Sequence, residues 1–541
     1  MPRFALFIAT TVLFVGFALG PVDSPANSTL ATGQHPPDLE AQVDRWYLDA
    51  MDAIYRGRAS EATQLADAME QAVPEDPRPY LLRARILRLD IPDQNADREG
   101  IGAYMGPSKE VLQKAVVAAD GILQRDPESL AGHLYRGWAL MFLAQIHALS
   151  DEYWGAGRKA AAGKADLDFV LERDPGNADA LLVQGVYLYF ADILPGMVKF
   201  ARVFLRVPGG HRERGMEYIE AATIRHGYAQ LDAKALLGVV LFAFEGRIED
   251  ATRQFDKVLA EYPGNTRMME PLSVMAMHSP QAMSEAMART GATIQNASNS
   301  QEQTERKVAA RLQLYLSLQE ILAGRVESAR ERLDALSRNL PREPDWLEPD
   351  VMRFLVDLDR MLADDAQARS RVESLPDKSP LRHKLMRNLQ GPMVSESVRS
   401  ALLALQPAAR ALYAGRLDET EAALATLPDV EAPFIDFYRG ELELLRLRPD
   451  AALPYFTGLA NDKSEDCWYW FRYCARLRVA EIHGARGQRE IAARTLQKAM
   501  DIHEQRDLLR HVARARKHFY ENGGAAGAGT AERHTVLPAQ R

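Results

Sequence analysis

The sequence predicts an all-α protein built from stacked helical hairpins. One local pattern recurs in five places, a glycine followed by a helix-like stretch with small residues at set positions and then, in most copies, a proline. The copies begin at these residues: Tyr55, Phe244, Leu322, Tyr413 and Gly484. The chain has 541 residues and 47% hydrophobic residues, enough for a long repeat array with a continuous core.

Each part of the pattern has a physical reason, as "FEGRIEDATRQFDKVLAEYPGN" from Phe244 shows. Glycine ends the first helix, because it adopts the left-handed backbone conformation at little cost. Acids such as Glu249 and Asp250 open the second helix, where the helix dipole is positive. Small residues let neighbouring helices approach closely, and proline ends the unit because it cannot continue a helix.

This pattern resembles the tetratricopeptide-repeat family. Counted from Gly246, Ala251 falls at the small position of the second helix, Phe255 at its aromatic position and Pro263 at the closing proline. The resemblance extends over most of residues 41–520 as roughly nine to eleven helix pairs. It implies a right-handed solenoid of helical hairpins, and the N-terminus points to an exported bacterial member.

The N-terminus predicts export. Arg3 precedes an uncharged apolar run from Phe4 to Gly20, which fits a cleaved signal peptide and also the short limit of a retained membrane anchor. Only two cysteines occur, Cys467 and Cys474, and their spacing on one helix is too long for a disulfide. The fold is therefore expected to form without disulfides.

Composition shifts suggest a domain order. The expected segments are a signal peptide or anchor (1–26), a flexible leader (27–40), an N-terminal solenoid arm (41–292), a polar hinge (293–305), a C-terminal arm (306–520) and a disordered tail (521–541). Three insertions are expected to lengthen loops, at Asp90–Pro107, Ser150–Ala160 and Pro195–Arg212. A methionine-rich stretch before the hinge is interpreted as adaptable core, with a peptide-binding surface as the alternative, and Pro280 is expected to be the first residue of its helix.

No chemical motif is apparent. The net charge of −8 does not favour nucleic acid as a partner. The stretch "WGAGRKAAAGKADL" from Trp154 has the wrong glycine spacing for a phosphate loop and suits a helix. Histidines are scattered, with His503 and His511 lacking acidic neighbours that would complete a metal site. We therefore predict no catalytic, cofactor-binding or metal-binding residues and no enzyme activity.

Two stretches are candidate contact surfaces. Trp468, Tyr469 and Trp470 lie in the most aromatic stretch, which indicates either a partner surface or a terminal repeat packed on two neighbours. Lys199, Arg202 and Arg206 recur every three to four residues in a stretch that is otherwise apolar, which predicts a basic amphipathic helix. This helix either contacts a membrane surface or an acidic partner, or it is an extra core helix. The second stretch also resembles an insertion in exported repeat proteins that accompany TRAP-type solute transporters.

The inner faces of the first helices are apolar in three units. Either these residues are core in a tightly wound superhelix, or they line an apolar groove. They are Leu182, Val186, Tyr189, Leu236, Val240, Ala243, Leu314, Leu318 and Ile321.

The function that follows is a non-enzymatic scaffold that binds other proteins in the cell envelope. The alternative is a transporter accessory or a carrier of apolar ligands that uses the apolar concave face.

Overall fold

The structure is a computed structural model of the chain. It describes residues 35–89, 98–150, 152–192, 209–225, 227–245, 247–277, 280–340, 347–362, 365–377, 379–390, 396–427, 433–462, 469–502, 513, 516–517 and 520–521.

These described residues form 23 α-helices and no strand. The first eight are α1 (Pro37–Tyr55), α2 (Ala59–Ala72), α3 (Arg78–Leu89), α4 (Arg98–Arg125), α5 (Leu130–Leu149), α6 (Tyr153–Arg173), α7 (Ala178–Asp192) and α8 (Arg212–Ile224). The next eight are α9 (Gln230–Ala243), α10 (Ile248–Glu261), α11 (Thr266–Ala276), α12 (Pro280–Ser298), α13 (Gln303–Leu322), α14 (Val326–Arg338), α15 (Leu347–Met361) and α16 (Asp365–Ser374). The last seven are α17 (Pro380–Gln390), α18 (Glu396–Tyr413), α19 (Leu417–Ala425), α20 (Pro433–Leu445), α21 (Pro449–Asn461), α22 (Tyr469–Ala485) and α23 (Arg489–Ile502).

The chain divides into two compact units. Unit 1 comprises Met1–Val239, Arg253–Met268 and Gln301–Thr304, and unit 2 comprises Val240–Thr252, Met269–Ser300 and Glu305–Arg541. Within each unit, helices consecutive in the chain pack in pairs, as α5 with α6 in unit 1 and α22 with α23 in unit 2. Each unit is therefore a stack of helical hairpins, which confirms the predicted fold class.

Glycine closes the hairpins where the pattern placed it. Gly57, Gly324, Gly415 and Gly487 all have φ between 68° and 74°, the left-handed region that costs other residues a steric clash. The equivalent position between α20 and α21 holds Leu447, also at φ 61°. Gly246, from which the pattern was counted, lies outside the described residues.

Aspartate begins the turns that lead to the next hairpin. Asp76, Asp126 and Asp174 each accept, through Oδ1, a hydrogen bond from the backbone N–H two residues later, at 2.9, 3.1 and 3.2 Å. A proline follows each aspartate and presets the backbone of the turn. The recurring Asp-Pro pair is therefore a local turn that starts each new first helix.

Small and aromatic residues of the second helices fill the core as predicted. Ala62, Ala66 and Ala329 are fully buried. Phe255 lies against Gly238, and a Cβ on that glycine would come within 2.8 Å of the ring. Phe456 lies against Gly440 in the same way, at 2.7 Å. The glycines of the first helices thus make room for the aromatic rings of the second.

Some boundaries differ from the expected ones. Helix α1 begins at Pro37, so the last residues of the expected leader are helical, and Glu40 is buried. Two of the expected loop insertions are largely helical, because α4 includes Pro107 and α6 begins at Tyr153. The expected hinge includes the end of α12 and the start of α13, and its role as a hinge stays a prediction.

Two finer predictions are confirmed. Pro280 is the first residue of α12. The described methionines of the methionine-rich stretch are core, with Met269, Met275 and Met283 no more than 2% exposed.

No helix within the described ranges is both long and apolar enough to cross a membrane. The apolar run Phe4–Gly20 lies outside those ranges.

Candidate functional site

Most of the contact residues predicted from sequence lie outside the part of the chain that the structure describes. Lys199, Arg202, Arg206 and Trp468 lie outside the described residues. Tyr469 and Trp470 form the first turn of α22. Further along that helix, Phe471 and Tyr473 are buried at 2% and 0% exposure. The predicted contact surfaces therefore stay predictions, while the end of the aromatic stretch belongs to the core.

The inner faces of the first helices are core and not a groove. The following residues are all less than 5% exposed: Leu182, Tyr189, Leu236, Val240, Leu314, Leu318 and Ile321. Val186 is half-buried. An apolar groove along these faces, on which the carrier interpretation depended, is thus not favoured.

The interior of unit 1 contains an ion cluster around Arg78, at the start of α3. Its guanidinium is fully buried and donates to both carboxylate oxygens of Asp76, at 3.0 and 2.7 Å. It also donates to Asp44 and Glu40 of α1, at 2.6 Å each. Tyr228 donates its hydroxyl to the same Asp44 oxygen at 2.9 Å. One arginine thus holds three carboxylates from two segments of the chain.

A second buried cluster surrounds Arg85, two turns further along α3. Its Nη1 lies 3.5 Å from Oδ2 of Asp232, which is fully buried on α9. The Arg85 guanidinium also lies 5.0 Å from the ring centroid of Trp138, a cation–π arrangement. Asp179 at the start of α7 accepts a hydrogen bond from the Ala229 backbone N–H at 2.6 Å. Polar contacts therefore join α3 to α9 through Arg85 and Asp232, α3 to α5 through Arg85 and Trp138, and the start of α7 to the residue before α9.

These carboxylates are perturbed in opposite directions. Burial raises the pKa of Asp179 to about 6 and the pKa of Asp232 well above its usual range. Burial also raises the pKa of Asp44, despite the nearby Arg78 charge. Asp76 is the exception, because His35 and Arg78 outweigh the effect of burial and lower its pKa to about 2. Asp179 and Asp232 thus bind a proton more tightly than an ordinary aspartate, and Asp76 binds one less tightly.

Helix α1 contacts residues 228–265 of unit 1, which are far from it in the sequence. Three pairs join tyrosine hydroxyls to carboxylates: Tyr228 to Asp44 (2.9 Å), Tyr55 to Asp232 (3.0 Å) and Tyr262 to Asp52 (3.2 Å). The Asn265 amide also donates to the Tyr55 carbonyl at 2.9 Å. We call this set of contacts, between α1 and residues 228–265, the seam. Simple repeat stacks contact only their neighbours, so the seam distinguishes unit 1 from them.

Unit 2 has its own buried ion pairs. Arg478 on α22 donates to both oxygens of Glu441 on α20, at 2.5 and 3.1 Å, and to Glu481 at 2.9 Å. Arg516 also contacts Glu481. Burial raises the pKa of Glu441, and the Arg478 charge opposes that shift. These pairs join successive hairpins and the C-terminal residues.

Unit 2 also contains a small apolar cleft. Its lining includes Ile321, Met361, Leu402 and Phe471, with Gln406 as one of few polar members. Most of these side chains are buried, so the cleft offers little surface to a ligand.

An exposed aromatic pair lies at the start of α6, in unit 1. Trp154 is 67% exposed and Tyr153 is 43% exposed. Arg158, one helical turn beyond Trp154, is exposed too. Glu152, just before the pair, contacts His147 and lies 3.4 Å from Lys109. We call Tyr153, Trp154 and Arg158 the aromatic edge. These three residue types are those most often found at the energetic centre of protein interfaces.

In the described ranges, no group of three or more His, Cys, Asp or Glu side chains is placed to hold a metal ion. The stretch that resembled a phosphate loop is the helix α6, as its alanine content predicted.

Sequence reasoning missed both clusters in unit 1 and the aromatic edge. A signal was present, because Arg78 and Arg85 are seven residues apart and so share one face of α3 with buried Leu81 and Leu82. An arginine that is buried on an apolar helix face is expected to have a carboxylate partner, because arginine is almost never fully buried unless it is paired. The seam had no local signal, because Tyr55 and Asp232 are 177 residues apart.

Comparison with solved structures finds tetratricopeptide-repeat proteins among the similar chains. No protein-family model matches the chain, and no curated protein matches it. A tetratricopeptide repeat protein from Parabacteroides merdae is 15% identical over 59% of this chain and 98% of its own, with a TM-score of 0.22. The human IFIT1 dimer with m7Gppp-AAAA is 12% identical over 93% of this chain and 95% of its own, with a TM-score of 0.25. The P58(IPK) TPR domain is 12% identical over 80% of this chain and 100% of its own, with a TM-score of 0.17.

At these identities and TM-scores, the likenesses carry no argument about what the chain binds. The hairpins themselves carry the assignment of architecture, through their positive-φ glycines and buried small residues. The chain is therefore an all-α protein of stacked helical hairpins, the architecture that the resemblance to tetratricopeptide repeats implies.

Proposed function

We propose that this protein is a non-enzymatic scaffold that binds a protein partner through the aromatic edge of unit 1. The observation that carries the proposal is the exposure of Trp154 beside Tyr153, while the inner faces of the first helices are buried. Burial of the large apolar surface of Trp154 against a partner would lower the free energy of the complex.

Charge at the edge suggests what the partner presents. Arg158 stands one turn from Trp154 and is exposed, so it can pair with a carboxylate of the partner. An apolar side chain over the Trp154 ring and an acid opposite Arg158 would complement the edge. Helical-hairpin solenoids commonly bind proteins, but architecture alone does not decide function.

The proposed setting is the cell envelope. It is supported by the sequence alone, through Arg3 and the apolar run Phe4–Gly20. The residues predicted from sequence as contacts, Trp468 to Trp470 and the basic positions Lys199, Arg202 and Arg206, are proposed as secondary surfaces.

A crosslinked pull-down of tagged full-length protein from the host's envelope tests the proposal. Captured material is analysed for proteins, lipids and nucleic acid by mass spectrometry and sequencing. We expect one dominant protein, lost in the double variant Tyr153→Ala, Trp154→Ala and kept in Ile224→Ser. Ile224 is a suitable control because it is 77% exposed at the end of α8.

Other outcomes are equally informative. Capture that survives the double variant but not Trp468→Ala, Trp470→Ala would move the interface to the C-terminal aromatic stretch. Capture of nucleic acid or lipid without a protein would overturn the proposal, and so would turnover of a metabolite pool by the purified protein.

A further inference from the structure

We propose that the aromatic edge binds a second copy of this chain, by pairing α6 of one copy antiparallel with α6 of the other. This inference rests on the proposed function, because it names the partner of the same edge. A second copy supplies both groups that the edge requires of a partner, an acid opposite Arg158 and an apolar group over Trp154.

Arg158 and Glu172 are opposite charges on one exposed face of α6. They are 14 residues apart, close to four helical turns, so they share a face and lie about 21 Å apart along the helix axis. Both side chains are exposed, and neither forms an ion pair within the described part of the chain. Each is therefore available to an opposite charge on another molecule.

The face of α6 between these two charges is uncharged. It carries Ala161, Ala162, Ala165 and Phe169. The charges beside this face, Lys164 and Asp168, already pair with each other at 2.6 Å. Alanines permit two helix axes to approach to about 8 Å, a distance that arginine and glutamate side chains can cross. The alanines thus allow close approach, while the free charges determine which partner fits.

Ala165 is the midpoint between Arg158 and Glu172, so the face is complementary to itself. When two copies pair antiparallel about a two-fold axis at Ala165, Arg158 of each copy faces Glu172 of the other. Both ion pairs then form together, and the helix dipoles are oriented favourably. A parallel pairing would instead place like charges opposite each other. Charge complementarity therefore favours a second copy in the antiparallel orientation.

The same symmetry gives Trp154 an apolar contact. Trp154 lies four residues before Arg158, so in the antiparallel pair it extends beyond Glu172 of the other copy to the turn that follows α6. That turn contains Pro175, which is exposed. A proline ring against an indole ring buries apolar surface on both sides. Trp154 and Pro175 are therefore the expected apolar contacts at the two ends of the interface.

Sedimentation equilibrium of the purified full-length protein tests the pairing. We expect a monomer–dimer equilibrium that weakens at high salt, because salt screens the ion pairs. Arg158→Glu should raise the dissociation constant of the dimer by about tenfold, because it places like charges opposite each other at both ends. The double variant Arg158→Glu, Glu172→Arg reverses both charges and should restore the wild-type value.

Lys257→Glu is the matched control. Lys257 is exposed on α10 in unit 1, and its Nζ contacts the Gln254 side chain at 3.3 Å. The same reversal of charge at this position should leave the dissociation constant unchanged. Circular dichroism of each variant confirms that the helices are intact.

A cysteine at the expected two-fold axis tests the register. With the native cysteines replaced by serine, Ala165→Cys should form a disulfide-linked dimer under mild oxidation, because the two copies of this residue face each other. Lys257→Cys, which is exposed but lies on α10, should not form one.

The outcomes separate this inference from the proposed function. A protein that is monomeric at every concentration would overturn the second copy as the partner. A dimer that Arg158→Glu leaves intact, or that the double variant does not restore, would overturn the pairing through α6. In both cases, capture of another protein through Tyr153 and Trp154 would still support the proposed function. Capture that does not depend on these two residues, in a protein that forms no dimer, would overturn the proposed function as well.

Discussion

Arg78 and Asp76 form a two-point ion pair in which both side chains are completely shielded from solvent. Asp76 also accepts a hydrogen bond from the Arg78 backbone N–H at 2.9 Å, so the pair and the turn that begins α3 are one structure. Glu40 and Asp44 share the same guanidinium. A single positive charge therefore compensates three carboxylates in the interior of unit 1.

Removing that charge should be among the most damaging changes in the chain. We expect Arg78→Met to lower the free energy of unfolding by about 3–5 kcal/mol, because it strands buried carboxylates without a partner. Arg83→Met on the same helix is the control. Arg83 pairs with Asp67 and Glu70 but is 30% exposed, so its loss should cost less than about 1 kcal/mol. Urea unfolding followed by circular dichroism compares them, and equal losses would contradict the role of Arg78.

Leu447 should be replaceable by glycine with a gain in stability. It occupies the left-handed turn position that Gly415 fills in the preceding hairpin, at φ 61° and 72° respectively. A side chain in this conformation costs about 1 kcal/mol or more, and Leu447 is 39% exposed, so little burial is lost. We expect Leu447→Gly to raise the free energy of unfolding by about 0.5–1 kcal/mol, after the added chain entropy of glycine is subtracted.

The reverse change supplies the matched comparison. A Cβ at Gly415 would touch nothing within 4 Å, so Gly415→Ala tests backbone strain alone. It should destabilise by about 1 kcal/mol. If Leu447→Gly also destabilises, packing of the leucine outweighs its backbone strain.

Close helix contact in unit 1 depends on Gly185. A Cβ there would come within 2.9 Å of the Gly215 carbonyl oxygen, a backbone atom that cannot move without shifting α8. We expect Gly185→Ala to lower the melting temperature, with a loss of about 1–3 kcal/mol from overpacking. Gly458→Ala on α21 meets no atom within 4 Å and should raise stability by up to about 1 kcal/mol. Calorimetry of the two variants, one destabilised and one stabilised, separates packing from helix propensity.

These residues also show which features a sequence can predict. The turn glycines and Asp-Pro junctions were recognisable because their requirement is local, a positive φ at Gly57 or a side chain that bonds two residues ahead at Asp76. The buried small residues followed from the spacing of the repeats. Asp232 was not recognisable, because an acid near the start of a helix is normally exposed there.

The seam and the exact helix boundaries escaped prediction for a different reason. Tyr262 meets Asp52 only when several hairpins have already stacked with a particular curvature, and no local pattern encodes that curvature. The sequence predicts that an insertion up to Pro107 lengthens a loop, yet this proline lies inside α4. The aromatic edge lies in a stretch whose glycine and lysine pattern points first to phosphate binding.

Asp179 should make the protein more stable in mild acid. Burial raises the pKa of this side chain to about 6 from an ordinary 3.8, so the folded chain binds the proton more tightly than the unfolded chain does. The stabilisation is complete below the unfolded value and disappears as the pH rises through about 6. Asp232 is shifted in the same direction. We therefore expect the melting temperature to rise as the pH falls from about 7.5 to about 5.

Asp179→Asn assigns this pH dependence to one residue. Asparagine is neutral throughout and its Oδ1 can still accept the hydrogen bond from the Ala229 N–H. The variant should be more stable than the wild type near neutral pH, by roughly 2–3 kcal/mol at most, and its melting temperature should change less between the two pH values. Asp126→Asn, at an exposed junction, should keep the wild-type slope. If the melting temperature of Asp179→Asn changes with pH as much as that of the wild type, Asp179 is already ionised in the folded protein over this range. The pH dependence would then have to be smaller in Asp232→Asn.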